Sequence, residues 1–330
     1  MRKRRIFISI LVVLAVIITI AVSGYLTINS KLSKLKTTKI SQSPSSLGIN
    51  TEKFNTNDIN NVEENYINIL LLGVDKLNET NDTGRADSNI ILTLDKVHKK
   101  IKLTSLMRDM LMNNVGSKAQ DKLTHAYAYG GPELSLKVVN DNLQMNMKDF
   151  VKVDFVSFYK IVDAIGGVDL NVADSEIASI NKYIKEVAVV EKKTPFYLTK
   201  GGMQKLNGMQ ALAYCRIRSV GNGDFERTQR QRAVLIEIFN KISSMNLSQI
   251  SNMLDTVLPY VETSLSKKAI LSYTSYALIN NIKTVEQLRL PEDKTGYSTN
   301  RIIHGVFYLD WNREGNIADL HQFIFEGDLK

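Results

Sequence analysis

Aspartates and arginines gather at three places where apolar runs stop. Leu70-Leu71-Leu72-Gly73-Val74 ends at Asp75, and Gly84-Arg85-Ala86-Asp87 follows. Ser105-Leu106-Met107 ends at Arg108-Asp109. Ala213-Tyr214-Cys215 leads into Arg216-Ile217-Arg218 and then Asp224 to Arg232. Apolar runs set backbone into a core, so charges at their ends sit at its rim. Asp75 and Asp87, with no His or Cys beside them, suit a hard cation with oxygen ligands, Mg²⁺ or Mn²⁺. Guanidinium forks bind phosphate oxygens in pairs. The chemistry is the handling of a phosphate beside a metal. Each piece alone also has a plain structural use. Asp75 and Asp87 fit turn caps, and Arg108-Asp109 fits a salt-bridged loop. Arg227 and Arg230 fit a solvated helix face paired with Asp224 and Glu226. Arg216 and Arg218 share a face if their segment is extended. Arg227, Arg230, Gln231 and Val234 form one helical stripe beside apolar Leu235, Ile238 and Phe239, the pattern of a lined cleft. Lys122 and His125 are accessory candidates on a short tyrosine-rich stretch, a lone His being more often structural. Cys215 reads as a small buried hydrophobe.

The elements that must position these residues follow from the hydrophobic pattern. Strands are predicted at 67–74, 88–94, 101–106, 150–153, 168–172, 288–290 and 302–309. Helices are predicted at 118–130, 130–143, 155–165, 206–214, 224–243, 247–259, 265–280 and 314–325. Pro132 fits a first helical turn, where a missing N–H costs nothing. Residues 174–200 read as an irregular insertion. If the strands at 67–74 and 88–94 pair, Asp75 and Asp87 come near each other. Interleaved strands and helices predict an α/β or α+β layered domain at 63–330, with no break in composition.

The chain has 330 residues, 44% hydrophobic and 23% charged, with a net charge of +8. A basic balance suits polyanions: nucleic acid, anionic lipid headgroups or phosphate-rich polymers. The basic segments lack the aromatic interleaving of a nucleic-acid reader, so no nucleic acid is expected. One cysteine excludes an internal disulfide and a cysteine metal cluster. Phosphate-loop, nucleophile-elbow and zinc signatures are missing, which argues against P-loop enzymes, serine hydrolases and zinc enzymes. Residues 1–5 are basic, and Ile6 to Leu26 form an uncharged apolar run. As a helix the run is about 30 Å long, enough to cross a bilayer. The expectation is a cytoplasmic tail at 1–5, an uncleaved single-pass anchor at 6–26, a flexible linker at 27–62 and a domain outside the cell membrane. Ala21-Val22-Ser23 offers the rival reading of a cleaved signal peptide. Lys31, Lys34, Lys36 and Lys39 place positive charge beyond the span as well.

Taken together, the pieces resemble the LytR-CpsA-Psr family. The resemblance rests on Leu71-Leu72-Gly73-Val74-Asp75, Arg85-Ala86-Asp87-Ser88, Ser105 to Asp109, Lys122 to Gly131, Ile165 to Asp169, Leu206 to Arg218 and Asp224 to Gln231, in order. It implies a central sheet flanked by helices and a membrane-anchored, Mg²⁺-dependent phosphotransferase. Such enzymes move a glycopolymer, wall teichoic acid or capsular polysaccharide, from an undecaprenyl-pyrophosphate carrier in the lipid bilayer to peptidoglycan through a phosphodiester. By that resemblance Asp75 and Asp87 hold the metal. Arg85, Arg108, Arg216, Arg218 and Arg227 clamp phosphate oxygens, with Gln231 beside them and Lys122 as a further contact. Asp75, Asp87 and Asp224 are the candidates for the base. Ala86, where Ser or Thr is common, and Glu226, where a small residue is frequent, depart from the pattern. Two other readings use the same basic seam: a non-enzymatic regulator that binds polyanions or lipids, and a polyprenyl-pyrophosphate pyrophosphatase.

Overall fold

A computed structural model describes residues 30–52, 59–75 and 83–326. The expected tail at 1–5 and membrane span at 6–26 lie outside the described residues. Among those described, no helix is long and apolar enough to cross a membrane. In chain order come β1 (Lys36–Thr37), α1 (Ile59–Asn65), β2 (Tyr66–Val74), β3 (Ala86–Asp95), β4 (Lys100–Leu106), β5 (Leu111–Val115), β6 (Lys118–Lys122), α2 (Leu123–Leu143), β7 (Asp149–Asp154) and α3 (Phe155–Ala164). Then follow β8 (Val168–Val172), α4 (Ile177–Glu191), β9 (Gly202–Leu206), α5 (Gly208–Arg216), α6 (Asp224–Ser243), α7 (Leu247–Val257), β10 (Glu262–Thr263), α8 (Lys267–Ile279), β11 (Thr284–Leu290), β12 (Ser298–Ile303), β13 (Val306–Trp311) and α9 (Arg313–Phe325).

Seven strands form one mixed sheet in the order β1-β10-β7-β2-β3-β4-β11. Side chains alternate across a strand, so one strand feeds two cores. On β2, Tyr66, Leu70, Leu72 and Val74 join a core with α2 and α9. Ile67 and Leu71 face the other way, toward Leu235 and Phe239 of α6 and Tyr273 and Tyr276 of α8. A third core lies among α3 to α7 and the β8–β9 hairpin, around Val162, Ile180, Ile184, Ala213 and Val234. The expected layered α/β arrangement is present, with a central mixed sheet between helices.

Four local expectations differ. The helix predicted from 118 begins at Leu123. Residues 118–122 pair instead with β5 across a turn at Gly116, whose φ of 63° suits glycine. The single strand predicted at 302–309 is a hairpin, because His304 and Gly305, at φ 50° and 78°, make a tight turn between Ile303 and Val306. The insertion at 174–200 contains α4, which buries Ile180, Ile184, Val187 and Ala188 along one stripe. Within the stretch read as linker, Leu32, Leu35, Leu47 and Ile49 are buried, and β1 pairs in parallel with β10. Isolated leucines carry no period, so the pattern missed them.

Candidate functional site

The cleft opens where β2, β4 and β7 finish and β3 begins. Its floor is the sheet face formed by Leu71, Gly73, Ile90, Val151 and Val153. Its roof is Phe155, Phe158, Leu212 and Leu235 from the helices. The volume is about 560 Å³. Arg85, Arg108, Arg216, Arg218, Arg227 and Gln231 line it, together with Asp75, Asp87 and Asp154. The expected site residues thus converge, with two exceptions, Asp224 and Lys122, which stand behind the lining.

Asp87 owes its direction to a bulge. Gly73 pairs with Ser88, whereas the next residue, Val74, pairs with Ala86. Asp87 is therefore the extra residue on β3, and a bulge re-aims the side chain it inserts. Val74 and Ala86 stay in the core beneath. Gly73 is needed opposite Ser88, since a Cβ there would stand 2.8 Å from that of Ser88.

Once turned, the carboxylate of Asp87 is the hub. Arg108 Nη1 donates to its Oδ1 at 2.9 Å, and Arg218 Nη2 donates to its Oδ2 at 2.9 Å. Arg227 Nη2 donates to its backbone oxygen at 3.0 Å, and Nη1 lies 3.5 Å from Oδ2. Burial acts to raise the Asp87 carboxyl, and Arg108, Arg227 and Arg218 outweigh it, holding it below the usual range. Asp224 is the second hub, 3.1 Å from Arg227 Nε, 3.2 Å from Arg218 Nε and 3.5 Å from Arg108 Nε. Burial brings the Arg227 guanidinium down to about 10 against the pull of both aspartates.

These contacts leave donors over. Arg108 Nε, Arg227 Nε and Arg216 Nη1 are buried without an aligned hydrogen-bond acceptor among the described residues. Two of these, Arg108 Nε and Arg227 Nε, face Asp224, whose Oδ1 is likewise without an aligned partner, so it is the parts of the forks lining the cleft that would meet phosphate oxygens. Arg216 ends α5 and Arg218 lies in the loop after it, so the two are not the extended pair considered from sequence. The Arg216 guanidinium sits over Phe155 and Tyr183, 5.1 and 4.8 Å from the ring centres. Arg85 is exposed at the mouth and makes no ion pair among the described residues. Arg230 is not part of the cleft. Its Nε donates to Glu176 at 2.7 Å and Nη2 to Glu226 at 3.0 Å, and it also holds the carbonyls of Ile217 and Val220. It fixes the loop that carries Arg218. Lys122 Nζ lies 2.6 Å from Asp109, whose other oxygen is 3.4 Å from Arg108 Nε.

Asp75 is different. Its carboxylate has no ion pair or side-chain hydrogen bond among the described residues, and only its N–H is tied, to the Arg85 carbonyl at 2.9 Å. Burial and the charge of Asp87 push the Asp75 carboxyl up, against Arg216, Arg218 and Arg108. A carboxylate destabilised by a neighbouring carboxylate, in an oxygen-only donor set, fits a hard divalent cation. Among the described residues, the one group of three metal-ligand types lies at the other end of the sheet: Asp95, His98 and Glu326. There the Lys102 ammonium already stands 2.7 Å from Asp95 and 2.8 Å from Glu326, so positive charge is supplied by the chain itself.

Sequence reasoning missed Phe155, Tyr183, Gly73 and Ser88. A glycine inside the apolar run before Asp75 was the available signal for the last two.

Known proteins share this sequence pattern and fold. The model of the LytR_cpsA_psr family matches residues 22–320. A polyisoprenyl-teichoic acid–peptidoglycan teichoic acid transferase, TagT of Bacillus subtilis, is 33% identical over 251 residues, 74% of this chain and 72% of the relative. The corresponding transferase TagU of Enterococcus faecalis is 32% identical over 225 residues, 66% of this chain and 68% of the relative. A solved structure of the protein YwtF (TagT) with bound octaprenyl pyrophosphate lipid has a TM-score of 0.59 at 28% identity, covering 81% of this chain and 91% of that one.

Proposed function

Because this chain belongs to the LytR_cpsA_psr family, we propose that it moves a glycopolymer from a polyprenyl-pyrophosphate carrier to peptidoglycan. The observation that carries the reading is the division of one cleft into two halves. Five arginines line its polar end, and apolar side chains of sheet and helices line the rest. A pyrophosphate joined to a long hydrocarbon has the same division. Relatives named as teichoic acid transferases, and a structure holding a prenyl pyrophosphate, support it. The donor polymer is wall teichoic acid or capsular polysaccharide, and the chain works from a single-pass anchor with the domain outside the membrane.

In the reaction an acceptor hydroxyl oxygen bonds to the phosphorus bearing the glycopolymer. The bond to the bridging oxygen breaks, polyprenyl monophosphate leaves, and the proton of the acceptor hydroxyl ends on that departing phosphate. Such transfer is mostly positioning and charge neutralisation. Arg108, Arg218 and Arg227, held in register by Asp87 and Asp224, meet the phosphate oxygens. Asp224, shared by three guanidiniums, serves better as their positioner than as a base. Asp75 and Asp87 would hold Mg²⁺, which supplies charge neutralisation on the pyrophosphate. Phe158, Leu212 and Leu235 keep water from the prenyl chain.

The test is transfer by the full chain from a lipid-pyrophosphate glycopolymer to peptidoglycan oligomers, with and without Mg²⁺. Arg218→Ala should cost about 3 kcal/mol of transition-state stabilisation, roughly 100-fold in rate, and Asp75→Ala should abolish the Mg²⁺ response. Absence of linked product from the wild type, or full activity in both variants, rejects the reading.

A further inference from the structure

The β12–β13 hairpin is built unlike a solvent loop. Its base is docked: Leu309 and Trp311 are buried, and Leu309 N–H donates to the Asp109 carbonyl at 2.9 Å. Beside the turn residues His304 and Gly305, its tip is apolar on both faces of the ribbon. Ile302 pairs with Phe307 on one face and Ile303 with Val306 on the other. Ile302 is 72% exposed, and Val306 and Phe307 are also exposed. Contiguous exposed apolar side chains mark a contact with another molecule or a membrane.

Three features lie at one end of the sheet. The cleft opens there, between the end of β2 and the start of β3. The hairpin is there too, reached through Met110, which bridges to Leu309 just beyond the end of β4. Lys122 joins the two: its ammonium lies 5.7 and 5.6 Å from the ring centres of Phe307 and Tyr308 and pairs with Asp109 beside Arg108. The third feature is where the chain enters. β1 runs with β10, which runs against β7, and β7 runs with β2, so the residues before Lys36 lie toward the end of β2. Leu32 and Leu35 are buried there against Leu258, with Lys31 and Lys34 on Asp255. The uncharged apolar run at 6–26 is four residues upstream of Ser30.

We propose that the tip from Ile302 to Phe307 inserts into the interfacial layer of the phospholipid bilayer. With the entering chain it makes a second point of attachment, and it sets the mouth of the cleft against the surface from which a prenyl-linked donor is drawn. The occupant is lipid because the chain reaches this end of the fold directly after an apolar run of bilayer length, and because the tip offers aliphatic and aromatic side chains. The inference rests on the proposed single-pass anchor for its lipid occupant and on the transferase reading for why the cleft should face the membrane.

The test uses the full chain reconstituted in phosphatidylglycerol vesicles. Ile302→Cys carries an environment-sensitive dye, and Ile279→Cys is the control, as it is 82% exposed at the opposite end of the sheet. The native Cys215 lines the cleft, so both variants are made in a Cys215→Ala background. Quenchers attached to lipid acyl chains should quench the dye at 302 at least roughly threefold more than at 279, as expected for a side chain 5–10 Å into the interface. Equal quenching at the two sites, or quenching at 302 by a water-soluble quencher undiminished by vesicles, overturns the proposal. So does dye self-quenching at 302, which would make a second copy the occupant. Transfer assayed on unlabelled wild-type protein in the same vesicles separates the two claims. Transfer with an unquenched tip rejects the insertion alone, and a quenched tip without transfer rejects the transferase reading alone.

Discussion

Replacing Asp87 by Asn tests whether one carboxylate organises the arginines. The substitution keeps the shape, the bulge and the backbone oxygen that accepts from Arg227, and removes one charge. Three guanidiniums lose an anionic partner, at 2.9, 2.9 and 3.5 Å. Arg218 is 37% exposed, so water replaces much of its loss. Arg227, 2% exposed, has no such replacement. At an effective dielectric of 20 its 3.5 Å pair is worth about 5 kcal/mol before desolvation. Asp224 remains 3.1 Å from Arg227 and limits the net loss. The expected destabilisation is about 3 kcal/mol, the low end for breaking a buried pair. Urea unfolding of the full chain, followed by the fluorescence of Trp311, measures it, as this is the one tryptophan. The pH dependence has a fixed sign. Asp87 has a depressed folded pKa, so its contribution is complete above its unfolded value of about 4 and is lost as pH falls through the folded value. The gap between wild type and variant should therefore close in acid. An absent gap at pH 7, or one that persists unchanged at pH 3, refutes the reasoning.

Gly73→Ala should force Ser88 aside and narrow the apolar channel; calorimetric titration with octaprenyl pyrophosphate should show weaker binding, and urea unfolding a loss of about 1–3 kcal/mol. Lys122→Met leaves Asp109 without its ammonium and loosens the support of Arg108, so turnover should fall about tenfold while donor affinity changes little, read as a split between kcat and KM. Glu262 anchors the entering chain. Burial acts to raise its carboxyl, and Lys152, Thr38 and Lys36 outweigh it, bringing it to about 2. Its contribution is present above the unfolded value and fades as pH falls toward 2, so Glu262→Gln at neutral pH and acid in the wild type should both increase amide exchange at Thr38, after correction for intrinsic rates.

The strands at 67–74 and 88–94 and the helix at 224–243 were legible because their apolar spacing is regular and their ends are charged. Spacing made Asp75, Asp87 and Arg227 candidates for one cleft, and the family resemblance gave them a shared site. The bulge at Asp87 was not legible, since it depends on how Gly73 meets Ser88 across two strands. The division of labour on α6 was not legible either. Arg227 and Arg230 share a stripe, yet Arg227 meets Asp87 and Arg230 meets Glu176, in the turn just before α4 within the stretch predicted as irregular. Periodicity gives a face of a helix; only the packing of α4 decides which part of that face is cleft. The pattern predicts one strand at 302–309 across the turn of a hairpin at 298–311, because Ile302 to Leu309 is apolar apart from His304 and Gly305, and a two-residue turn leaves little trace in a window of that length.

The central claim is transfer of a phosphoryl-linked polymer to a sugar hydroxyl, and its most direct test is the balance of products. The full chain in vesicles is given a lipid-pyrophosphate glycopolymer and peptidoglycan oligomers, and mass spectrometry counts polyprenyl monophosphate and linked phosphodiester. Transfer yields equal amounts of the two, both falling together in Arg218→Ala. Polyprenyl monophosphate released with free polymer phosphate, or tight donor binding with neither product, contradicts it.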